Sequence, residues 1–517
     1  MSTIPRQIPV FTGFGFPARL GALTLVLALT LLTGCAHGLI GAQKEPSLAI
    51  HASDATALGM MATRTLQGSA GDDSALHLIP GGLEALAARL ALIERAERSV
   101  DAQYYIWRGD ASGEILATAL WQAAERGVRV RILLDDWGTR PTERELGMLA
   151  AHPNVEVRLF NPLPVRWSLV LGMLADFERG NRRMHNKALI ADNQAAIVGG
   201  RNVGDEYFES HRDFAFGDLD ALVLGPVVRQ LSAGFDEYWN SAATARVVPG
   251  EAPASGPGNP GVIELQQAVQ KSGFGPRLDR GELRFHHGRA VALHDFPDKV
   301  DPGAEGGGAP HLGRQIADVI GAPASELLLV SAYFVPGAGG VEQLAAFRNK
   351  GIRVVVVTNS LAATDVPAVH AGYARYRQPL LESGIELFEI RAKGEGKHAS
   401  RDRGLPGSSR VSLHAKLMVV DRQTTFIGSM NIDPRSIVLN TENGIVFSNA
   451  AMAESIAAGT EQAIKASAYR LELVDGELRW RASGADGEEI FVTEPDAGFW
   501  QRLWMGVMSW FDLEALL

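Results

Sequence analysis

The chain of 517 residues has one cysteine, Cys35, so it cannot form an intrachain disulfide bond. It also lacks an excess of positive charge, because 49 Lys and Arg stand against 59 Asp and Glu, a net charge of −10. This balance gives no general field that attracts nucleic acid, so any phosphate recognition has to be local. Aromatic residues make up only 7%, but hydrophobic residues make up 46%, which suits two globular domains with full cores.

The apolar run at the N-terminus, from Leu20 to Leu32, is too short to span a membrane. Arg6 and Arg19 precede it and Gly34-Cys35 follows, a pattern typical of a secretory signal. The ending resembles the bacterial lipobox, in which the cysteine is lipidated and becomes the mature N-terminus. We therefore expect a lipoprotein signal peptide over residues 1–35 and a membrane-associated, periplasm-facing protein of a Gram-negative-type bacterium. An uncleaved anchor or a free cysteine is the alternative.

One short motif, His-x-Lys-x-x-x-x-Asp, occurs twice in register, 229 positions apart. The copies are His185, Lys187 and Asp192, and then His414, Lys416 and Asp421. Each copy runs into a Gly/Ser-rich turn that ends in asparagine, with Gly200 and Asn202 in the first copy and Ser429 and Asn431 in the second. A duplicated His-Lys-Asn set is what two halves of one phosphate-handling site would look like.

The repeat extends beyond the motifs. Residues 99–107 and 327–335 read as strands, with Tyr104 and Tyr333 again 229 positions apart, and each is followed by a helical stretch, a glycine and a Val-rich strand. This order predicts βαβ units with a buried parallel sheet in each half. The expected domains are a leader or tether at 36–80, a first α/β domain at 81–250, and a Gly/Pro-rich linker or insertion at 251–312. A second α/β domain at 313–450 and a C-terminal extension with an aromatic amphipathic helix at 451–517 follow.

Strand geometry divides the motif into two parts. Residues two apart on a strand share a face, so His185 and Lys187 point together, as do His414 and Lys416. Asp192 is an odd number of positions from His185 and precedes a turn-like Asn-Gln pair. The motif therefore predicts a hairpin with strands at 183–191 and 195–199, and a structural role for Asp192 and Asp421. A bond-making aspartate is the weaker alternative.

The residue set suits phosphoryl transfer. Two lysines and two asparagines, one of each from each half, can hold the oxygens of a phosphodiester. One neutral histidine can attack phosphorus while the other, protonated, donates to the leaving alcohol. This chemistry needs no cofactor, and no compact metal-ligand cluster at the usual spacings is evident.

A nucleophilic histidine needs an acceptor on its second ring nitrogen. Asp213 lies 28 positions after His185, and Glu442 lies 28 after His414. The matched offsets make these two carboxylates the expected histidine-orienting residues, although a surface carboxylate would be the plainer reading of either one alone.

These residues resemble the phospholipase D superfamily, whose hallmark is the duplicated HKD motif, over nearly all of residues 80–517. The resemblance implies two phospholipase D-like α/β/α repeats related by a pseudo-two-fold axis, with the active site at their interface. It implies His185 as nucleophile and His414 as general acid/base, although the symmetry of the sequence leaves their order open. The stretches 101–107, 181–187, 198–208, 369–376 and 431–436 look most like bacterial cardiolipin synthases of the C type.

That closer resemblance implies transfer of a phosphatidyl group onto the glycerol hydroxyl of phosphatidylglycerol, with phosphatidylethanolamine as a further possible substrate. The rival hypotheses are a hydrolase that releases phosphatidic acid, a secreted phosphodiesterase or nuclease, and an inactive lipoprotein scaffold. The acidic balance argues against a nucleic acid partner. One chain carries both halves of the site, so a monomer is sufficient for chemistry.

Three further segments are candidates for contact with lipid. Residues 165–177 are mostly apolar and lie just before the first motif, so they form either a core helix or an acyl-chain or bilayer contact. The aromatic segment 499–511 either lies at a membrane interface or docks on the second half. The basic loop 391–410 could meet anionic head groups, although a solvated loop is the plainer reading.

Overall fold

The computed structural model describes residues 40–41, 44–139, 142–166, 168–208, 215–251, 260–301, 310–392, 411–484 and 487–508. Two residues singled out above, Cys35 and Asp213, lie outside these ranges, as does most of the basic loop 391–410. None of the helices in the described ranges is long and apolar enough to cross a membrane.

The first half of the chain alternates strands and helices. Its elements are β1 (Ile40–Gly41), α1 (Ala57–Thr65), β2 (Asp73–Ile79), α2 (Gly82–Arg95), β3 (Ser99–Ile106), α3 (Ala111–Glu125), β4 (Arg129–Gly138), α4 (Glu143–Ala150), β5 (Val155–Phe160), α5 (Leu169–Ala175), α6 (Phe177–Asn181), β6 (Ala188–Ala191), β7 (Ala195–Gly199), β8 (Ala215–Gly217), β9 (Asp220–Leu224), α7 (Pro226–Asn240) and β10 (Thr244–Val247). Strands β3, β4 and β5 are parallel, as the βαβ pattern predicts.

The second half repeats this order after a connecting stretch. The stretch holds α8 (Pro260–Ser272), α9 (Phe274–Asp279), β11 (His286–His294) and a 3₁₀ helix (Pro297–Val300). The repeat holds α10 (Leu312–Ile320), β12 (Glu326–Ser331), α11 (Gly337–Asn349), β13 (Arg353–Asn359), α12 (Pro367–Ala374), α13 (Arg377–Glu382), β14 (Glu386–Ile390), β15 (Val411–Leu413), β16 (Lys416–Val420), β17 (Thr424–Gly428), a π-helical turn (Arg435–Leu439), β18 (Asn443–Ser448), α14 (Ala450–Ser467), β19 (Ala468–Val474), β20 (Glu477–Gly484), β21 (Gly487–Phe491) and α15 (Phe499–Met508).

Glycines end equivalent helices in the two halves. Gly127 follows α3 with φ of 90° and Gly351 follows α11 with φ of 83°, a left-handed conformation that glycine adopts without a Cβ clash. Each glycine leads into a Val-rich strand, β4 or β13, whose side chains are buried along most of its length. Such continuous burial is typical of the centre of a parallel sheet covered on both faces.

The strands of both halves join into one sheet. Pairings run β5-β4-β3-β6-β7-β9-β2 in the first half and β14-β13-β12-β16-β17-β18-β11 in the second. The two series meet where β2 pairs antiparallel with β11. Because β2 and β11 occupy the same place in their own series, a pseudo-two-fold axis passes between them. A separate parallel pair, β8 with β15, also joins the halves.

The expected leader and linker contain more structure than their composition indicates. Residues 36–80 include α1 and β2, with Leu58, Leu76 and Ile79 buried. The N–H groups of Ser47 and Ala49 donate to the side chains of α7, so the described part of this segment packs on the first domain. The segment 251–312 includes β11 at the centre of the sheet and the buried Phe274 of α9. Pairing partners far along the chain stabilise both strands, which local periodicity cannot reveal.

The C-terminal extension is also partly core. α14 packs in one apolar cluster with α7 and with both halves of the sheet, through buried residues such as Met452 and Ile456. β19 pairs with β14 and so extends the second half of the sheet. The second α/β unit therefore continues past residue 450, since α14 is the counterpart of α7.

Candidate active site

Both motifs form hairpins, although the first strand is shorter than the predicted 183–191. β6 begins at Ala188, so His185 and Lys187 lie in the segment just before it. β6 pairs with β7, and β16 pairs with β17, in equivalent antiparallel registers. The turns place Asp192 and Asn193 at φ of 54° and 53°, and Asp421 and Arg422 at 52° and 52°. Two successive residues with positive φ are typical of a type I′ turn, which suits the twist of a tight hairpin.

The aspartate of each motif accepts hydrogen bonds from the backbone at the start of a neighbouring strand. The Asp192 carboxylate accepts hydrogen bonds from the backbone N–H groups of residues 97, 98 and 99 at 2.7–3.1 Å. The Asp421 carboxylate accepts in the same way from residues 324, 325 and 326 at 2.7–3.1 Å. Each carboxylate thus ties the hairpin turn to the start of β3 or β12, which is the geometry of a structural residue.

The two histidines are held by carboxylates from opposite halves. Nδ1 of His185 lies 2.8 Å from the Glu442 carboxylate, and Nδ1 of His414 lies 2.6 Å from that of Asp218. Ionised carboxylates only accept hydrogen bonds, so they fix the proton on Nδ1 and leave Nε2 of each neutral ring with its lone pair. Both imidazoles are buried, with side-chain exposures of 11% and 7%.

Backbone hydrogen bonds repeat this exchange between the halves. The His185 N–H donates to the Thr441 carbonyl oxygen at 2.8 Å, and the His414 N–H donates to the Gly217 carbonyl oxygen at 2.7 Å. Thr441 and Gly217 each directly precede the carboxylate residue that holds the ring of the same histidine. Each histidine segment therefore runs beside the carboxylate segment of the other half.

The position of the first carboxylate differs from the expectation. The sheet register aligns β9 with β18, since Asp220 pairs with Gly199 and Gly444 pairs with Gly428. This alignment makes Asp218, not Asp213, the counterpart of Glu442. The stretch from motif asparagine to carboxylate is five residues longer in the first half, so equal sequence offsets lead to the wrong residue. The offset from His414 does find Glu442, but Glu442 binds the histidine of the other half.

The turn residues Gly200 and Ser429 contact these carboxylates. The Ser429 hydroxyl donates to Glu442 and accepts from the Asn443 N–H at 3.0 Å. A Cβ on Gly200 would lie 2.5 Å from both oxygens of the Asp218 carboxylate. These two residues, expected to form the turn of the phosphate site, instead shape the environment of the acids behind the histidines.

The two lysines are almost completely buried beside the histidines. Lys187 Nζ donates to the His185 carbonyl oxygen at 2.6 Å, and Lys416 Nζ donates to the His414 carbonyl oxygen. Asn443 brackets the first lysine, accepting from the Lys187 N–H at 2.9 Å and donating to the Lys187 carbonyl oxygen at 3.3 Å. These contacts fix two cations in the space between the halves.

The motif asparagines are oriented by the strands next to the hairpins. The Asn202 side-chain oxygen accepts from the Ile106 N–H at 3.2 Å, and that of Asn431 accepts from the Tyr333 N–H at 3.4 Å. The oxygen of each amide therefore points to the strand. In that orientation the amide NH₂ group is the one that can donate to a bound anion.

Aromatic rings that the motif analysis missed stand edge-on to each histidine. The Tyr105 ring lies 5.2 Å from that of His185 at 66°, and the Tyr207 ring lies 5.3 Å from that of His414 at 75°. Tyr105 also lies 5.6 Å from Lys187 Nζ, a cation–π distance. Tyr207 follows Asn202 by five positions, but the corresponding position in the second half is Ser436, so the repeat gives no signal for it.

Two further side chains, Asp135 and Asn359, each bind the backbone of the residue that precedes a motif histidine. The Asp135 carboxylate accepts from the Met184 N–H at 2.8 Å, and the Asn359 side-chain oxygen accepts from the Leu413 N–H at 2.9 Å. Asn359 is the last residue of β13, and Asp135 lies three positions before the end of β4, so both are at the carboxyl edge of the parallel strands. The pair differs in charge, and burial raises the pKa of Asp135 to about 6.

Burial dominates the electrostatics of the site. Burial, together with the charges of Lys187 and Lys416, lowers the pKa of His185 to about 4 against the opposing pull of Glu442. Burial also lowers the pKa of Lys187 to about 7 and that of Lys416 to about 8. Burial and both lysines hold the pKa of His414 well below its usual value. These shifts favour neutral imidazoles near pH 7, and a bound anion would raise all four of these pKa values.

The pKa values of the two carboxylates shift in opposite directions. Burial works against ionisation of Glu442, but His185 and Lys187 outweigh it and leave the pKa below the ordinary value. Burial raises the pKa of Asp218 despite the opposing charges of Lys416 and Arg201. The two histidines therefore have unequal partners in a site of otherwise repeated geometry. Among the described residues, no group of three His, Cys, Asp or Glu side chains could hold a metal ion.

Comparison with known proteins gives consistent matches. A family model described as "Cardiolipin synthase, PLD-like domain" matches residues 90–239 and 316–463. The chain is 40% identical over 450 residues to cardiolipin synthase C of Escherichia coli K12, covering 84% of this chain and 94% of the relative. It is 24% identical over 372 residues to cardiolipin synthase B of the same strain, covering 72% and 76%.

A solved structure shares the fold. The crystal structure of phosphatidylserine synthase from Haemophilus influenzae Rd KW20 superimposes with a TM-score of 0.52 at 15% identity. The superposition covers 80% of this chain and 92% of that chain.

Proposed function

Since the chain belongs to the cardiolipin synthase family of phospholipase D-like proteins, we propose that it forms cardiolipin from phosphatidylglycerol and a second phospholipid. It is an enzyme of the phospholipase D superfamily and a phosphatidyltransferase. The observation that best supports the reaction is the pair of histidines, each with Nδ1 held by a carboxylate and Nε2 left as the reactive nitrogen. Such an arrangement provides a nucleophile and a proton donor in one site.

In the first step, Nε2 of His185 attacks the phosphorus of the donor phospholipid. A P–N bond forms, the P–O bond to the leaving alcohol breaks, and His414 delivers a proton from Nε2 to the departing oxygen. His185 suits the nucleophile's role because its pKa of about 4 keeps the ring neutral. His414 gains the proton it donates when the anionic phosphodiester binds and raises its pKa.

The second step runs in reverse with a new alcohol. The terminal hydroxyl of a phosphatidylglycerol molecule gives its proton to His414, and its oxygen attacks phosphorus. A P–O bond forms and the P–N bond to His185 breaks, which regenerates both histidines. Water in place of this hydroxyl would give phosphatidic acid, so exclusion of water decides between transfer and hydrolysis.

The lysines and asparagines stabilise the phosphoryl oxygens in both steps. Lys187 and Lys416 enter from opposite halves, as do Asn202 and Asn431, so charge that develops on the oxygens meets donors on both sides. Their positions are fixed before substrate binds, which is the condition under which electrostatic stabilisation is most effective. All these groups come from one chain, so a monomer is sufficient for the proposed chemistry.

The test is product analysis with purified full-length enzyme. Phosphatidylglycerol labelled in its acyl chains is supplied alone and then with phosphatidylethanolamine. We expect labelled cardiolipin, and we expect His185→Ala and His414→Ala to abolish it. Phosphatidic acid as the sole product would refute the transferase and support a hydrolase. If either single variant, His185→Ala or His414→Ala, kept the wild-type rate, the two-histidine mechanism would be refuted.

Two exposed apolar surfaces support a membrane-bound substrate. α5 exposes large apolar side chains, among them Val170 at 67% and Leu174 at 76%, and α15 exposes Phe499 at 71%, Trp500 and Trp504. α5 follows the carboxyl end of β5, and α15 packs on α12, which follows the carboxyl end of β13. Asp135 and Asn359 place the active site at this same edge of the sheet. Both helices are therefore proposed to meet the bilayer that holds the substrate.

Vesicle flotation tests this surface. The Cys35→Ala protein should float with phosphatidylglycerol vesicles, and adding Leu174→Glu with Trp504→Glu should abolish flotation. Val319→Glu, at an exposed apolar position on α10, is the matched control and should float normally. Flotation of the double variant at the wild-type level would rule out this surface. The proposed lipid anchor is tested separately, since radiolabelled acyl groups should attach to the wild type and not to Cys35→Ala.

A further inference from the structure

An open apolar cavity of about 610 Å³ lies between α14 and the sheet, and residues of the first half such as Leu78 and Pro80 complete its lining. We call it the α14 cavity. It lies on the face of the sheet that carries Val330 and Val357, while the helix α11 covers the opposite face. Its apolar lining includes Val330, Val357, Ile390, Leu417, Ile456 and Ala463. Its volume falls within the range of about 300–1,000 Å³ that is usual for small-molecule sites.

The equivalent region of the first half is filled by aromatic side chains of α7. Phe235, Tyr238 and Trp239 are at most 1% exposed, and the Phe235 and Trp239 rings stack at 5.7 Å. Tyr238 packs 5.4 Å from Phe160, the residue that ends β5. A cavity beside Phe235 and Tyr238 measures only about 10 Å³.

The pseudo-two-fold axis identifies what replaces these rings in the second half. α7 follows its N-cap Gly225 and α14 follows its N-cap Asn449, which sets the offset between the helices at 224 positions. Phe235 and Trp239 thus correspond to Gly459 and Ala463, both in the lining of the α14 cavity. A Cβ built on Gly459 meets nothing within 4 Å. The cavity is therefore the volume of the missing aromatic side chains.

The charged groups of the lining indicate the ligand. Its titratable residues are His77, Arg284, His286 and Asp218. Asp218 is already bonded to His414, and Nδ1 of His77 is bonded to the Arg284 carbonyl oxygen. Arg284 is exposed and His286 is half-buried, which places a cationic group at the solvent side of an apolar cavity. Although the protein is acidic overall, a cation stands at the solvent side of this apolar cavity. The combination suits a ligand with a hydrocarbon chain and an anionic head group.

We propose that the α14 cavity binds the acyl chain of a single-chain anionic lipid. The chain lies against Val330, Val357 and Ile456, and the head group meets Arg284. The cavity adjoins the proposed active site, because Asp218 both lines it and holds His414. Neither His185 nor His414 lines it, so binding of the lipid requires neither histidine.

The test refills the cavity with the residues of the first half. Binding of cis-parinaric acid, a fluorescent long-chain fatty acid, is measured with the full-length wild type and with Gly459→Phe/Ala463→Trp. The dissociation constant should rise at least about tenfold in the double variant, since a few displaced methylene groups suffice for that loss. His185→Ala should bind as the wild type does, which separates this result from failure of the proposed function.

Two controls fix the location and the charge preference. Gly339→Phe adds the same ring at a helical glycine of α11, which also has nothing within 4 Å of its Cβ and lies on the opposite face of the sheet. It should bind the probe normally. Arg284→Gln should weaken probe binding about threefold, the scale of one exposed charge pair. Equal binding by wild type and double variant, equal loss in Gly339→Phe, or equal competition by an uncharged long-chain alcohol would overturn the proposal.

A second measurement does not depend on folding of the refilled variant. Ser455 is an exposed residue of the lining, and Cys35→Ala/Ser455→Cys carries a single thiol there. The fatty acid should slow maleimide alkylation of this thiol in proportion to occupancy. Alkylation at the same rate with saturating fatty acid would also overturn the proposal.

Discussion

His185 is held by Glu442, a residue 257 positions further along the chain, at 2.8 Å between Nδ1 and the carboxylate. Asp218 holds His414 over 196 positions in the equivalent arrangement across the pseudo-two-fold axis. The histidine–carboxylate pairs are thus exchanged between the halves, and neither motif has its orienting acid in its own hairpin.

Because Glu442 of the second half holds His185 of the first, we expect that removing the negative charge of Glu442 strongly lowers activity. Glu442→Gln should lower kcat for cardiolipin formation by about 10²- to 10⁴-fold, because a neutral amide no longer selects the reactive tautomer of His185. Steady-state kinetics with labelled phosphatidylglycerol measures this. Glu477→Gln, at an exposed glutamate of β20, should retain full activity. Activity of Glu442→Gln within twofold of the wild type would contradict the orienting role.

The leaving group should distinguish the two histidines. With a phosphatidyl ester of 4-nitrophenol, the departing phenolate needs no proton, so His414→Ala should recover much of the first step. His185→Ala should remain inactive because no P–N bond can form. Nitrophenolate release in single-turnover experiments measures this step. Recovery in His185→Ala instead would reverse the assigned roles.

The pKa values of the lysines predict the alkaline limb of the pH profile. Burial lowers the pKa of Lys187 to about 7, so the free enzyme loses this cation as pH rises through neutrality. Bound phosphodiester raises that pKa. The alkaline fall in kcat/KM should therefore lie at lower pH than the fall in kcat. In Lys187→Arg the guanidinium stays charged, so the limb due to this residue should disappear. Coincident alkaline limbs in the wild type would show that Lys187 does not titrate in this range.

The same burial predicts that a catalytic lysine destabilises the fold. Below about pH 7 Lys187 is charged in both folded and unfolded chains, and the full cost of burying the charge applies. As pH rises further, the folded state loses the proton first and the cost falls. Lys187→Met should raise the free energy of unfolding by about 1–4 kcal/mol at pH 6 and by less at pH 9. Urea denaturation at the two pH values measures this, and a larger gain at pH 9 would be inconsistent with it.

Gly200 gives a prediction about the acid behind His414. A methyl group at this position would lie 2.5 Å from the Asp218 carboxylate oxygens. Gly200→Ala should displace Asp218 and lower kcat by about 10²-fold, the effect of a misplacement near 1 Å. Gly339→Ala, where the new methyl group meets nothing, serves as the control. Undiminished kcat in Gly200→Ala would show that this contact is not needed to place Asp218.

Sequence patterns predicted the local parts of the site well. The spacing of two brought His185 and Lys187 together as predicted, although both precede β6 and do not lie on a strand. The turn composition assigned Asp192 to the turn, since a hairpin is set by residues close in sequence. The α/β class and the two-fold repeat followed from the Val-rich strands and the paired motifs. These features need no knowledge of contacts between distant residues.

Features that depend on contacts between distant residues could not be predicted from the sequence. Equal offsets pointed to Asp213, but the first half has five more residues between the motif asparagine and the carboxylate, so the acid is Asp218. Tyr104 and Tyr333 share the motif spacing, yet the hydrogen bonds of Asn202 and Asn431 align Ile106 with Tyr333, an offset of 227. Insertions accumulate in loops, so sequence offsets hold only within an unbroken stretch of structure.

The exchanged pairs also govern when the enzyme can first become active. During synthesis the first half emerges complete with His185, Lys187 and Asn202, but Glu442 is still to be made. Nδ1 of His185 then has no acceptor, and β2 has no β11 beside it. Under the proposed mechanism, phosphodiester chemistry has to wait until Glu442 and the adjoining strand β18 have been translated and have folded against the first half. A nascent chain would thereby stay catalytically inactive until most of the second half has been made.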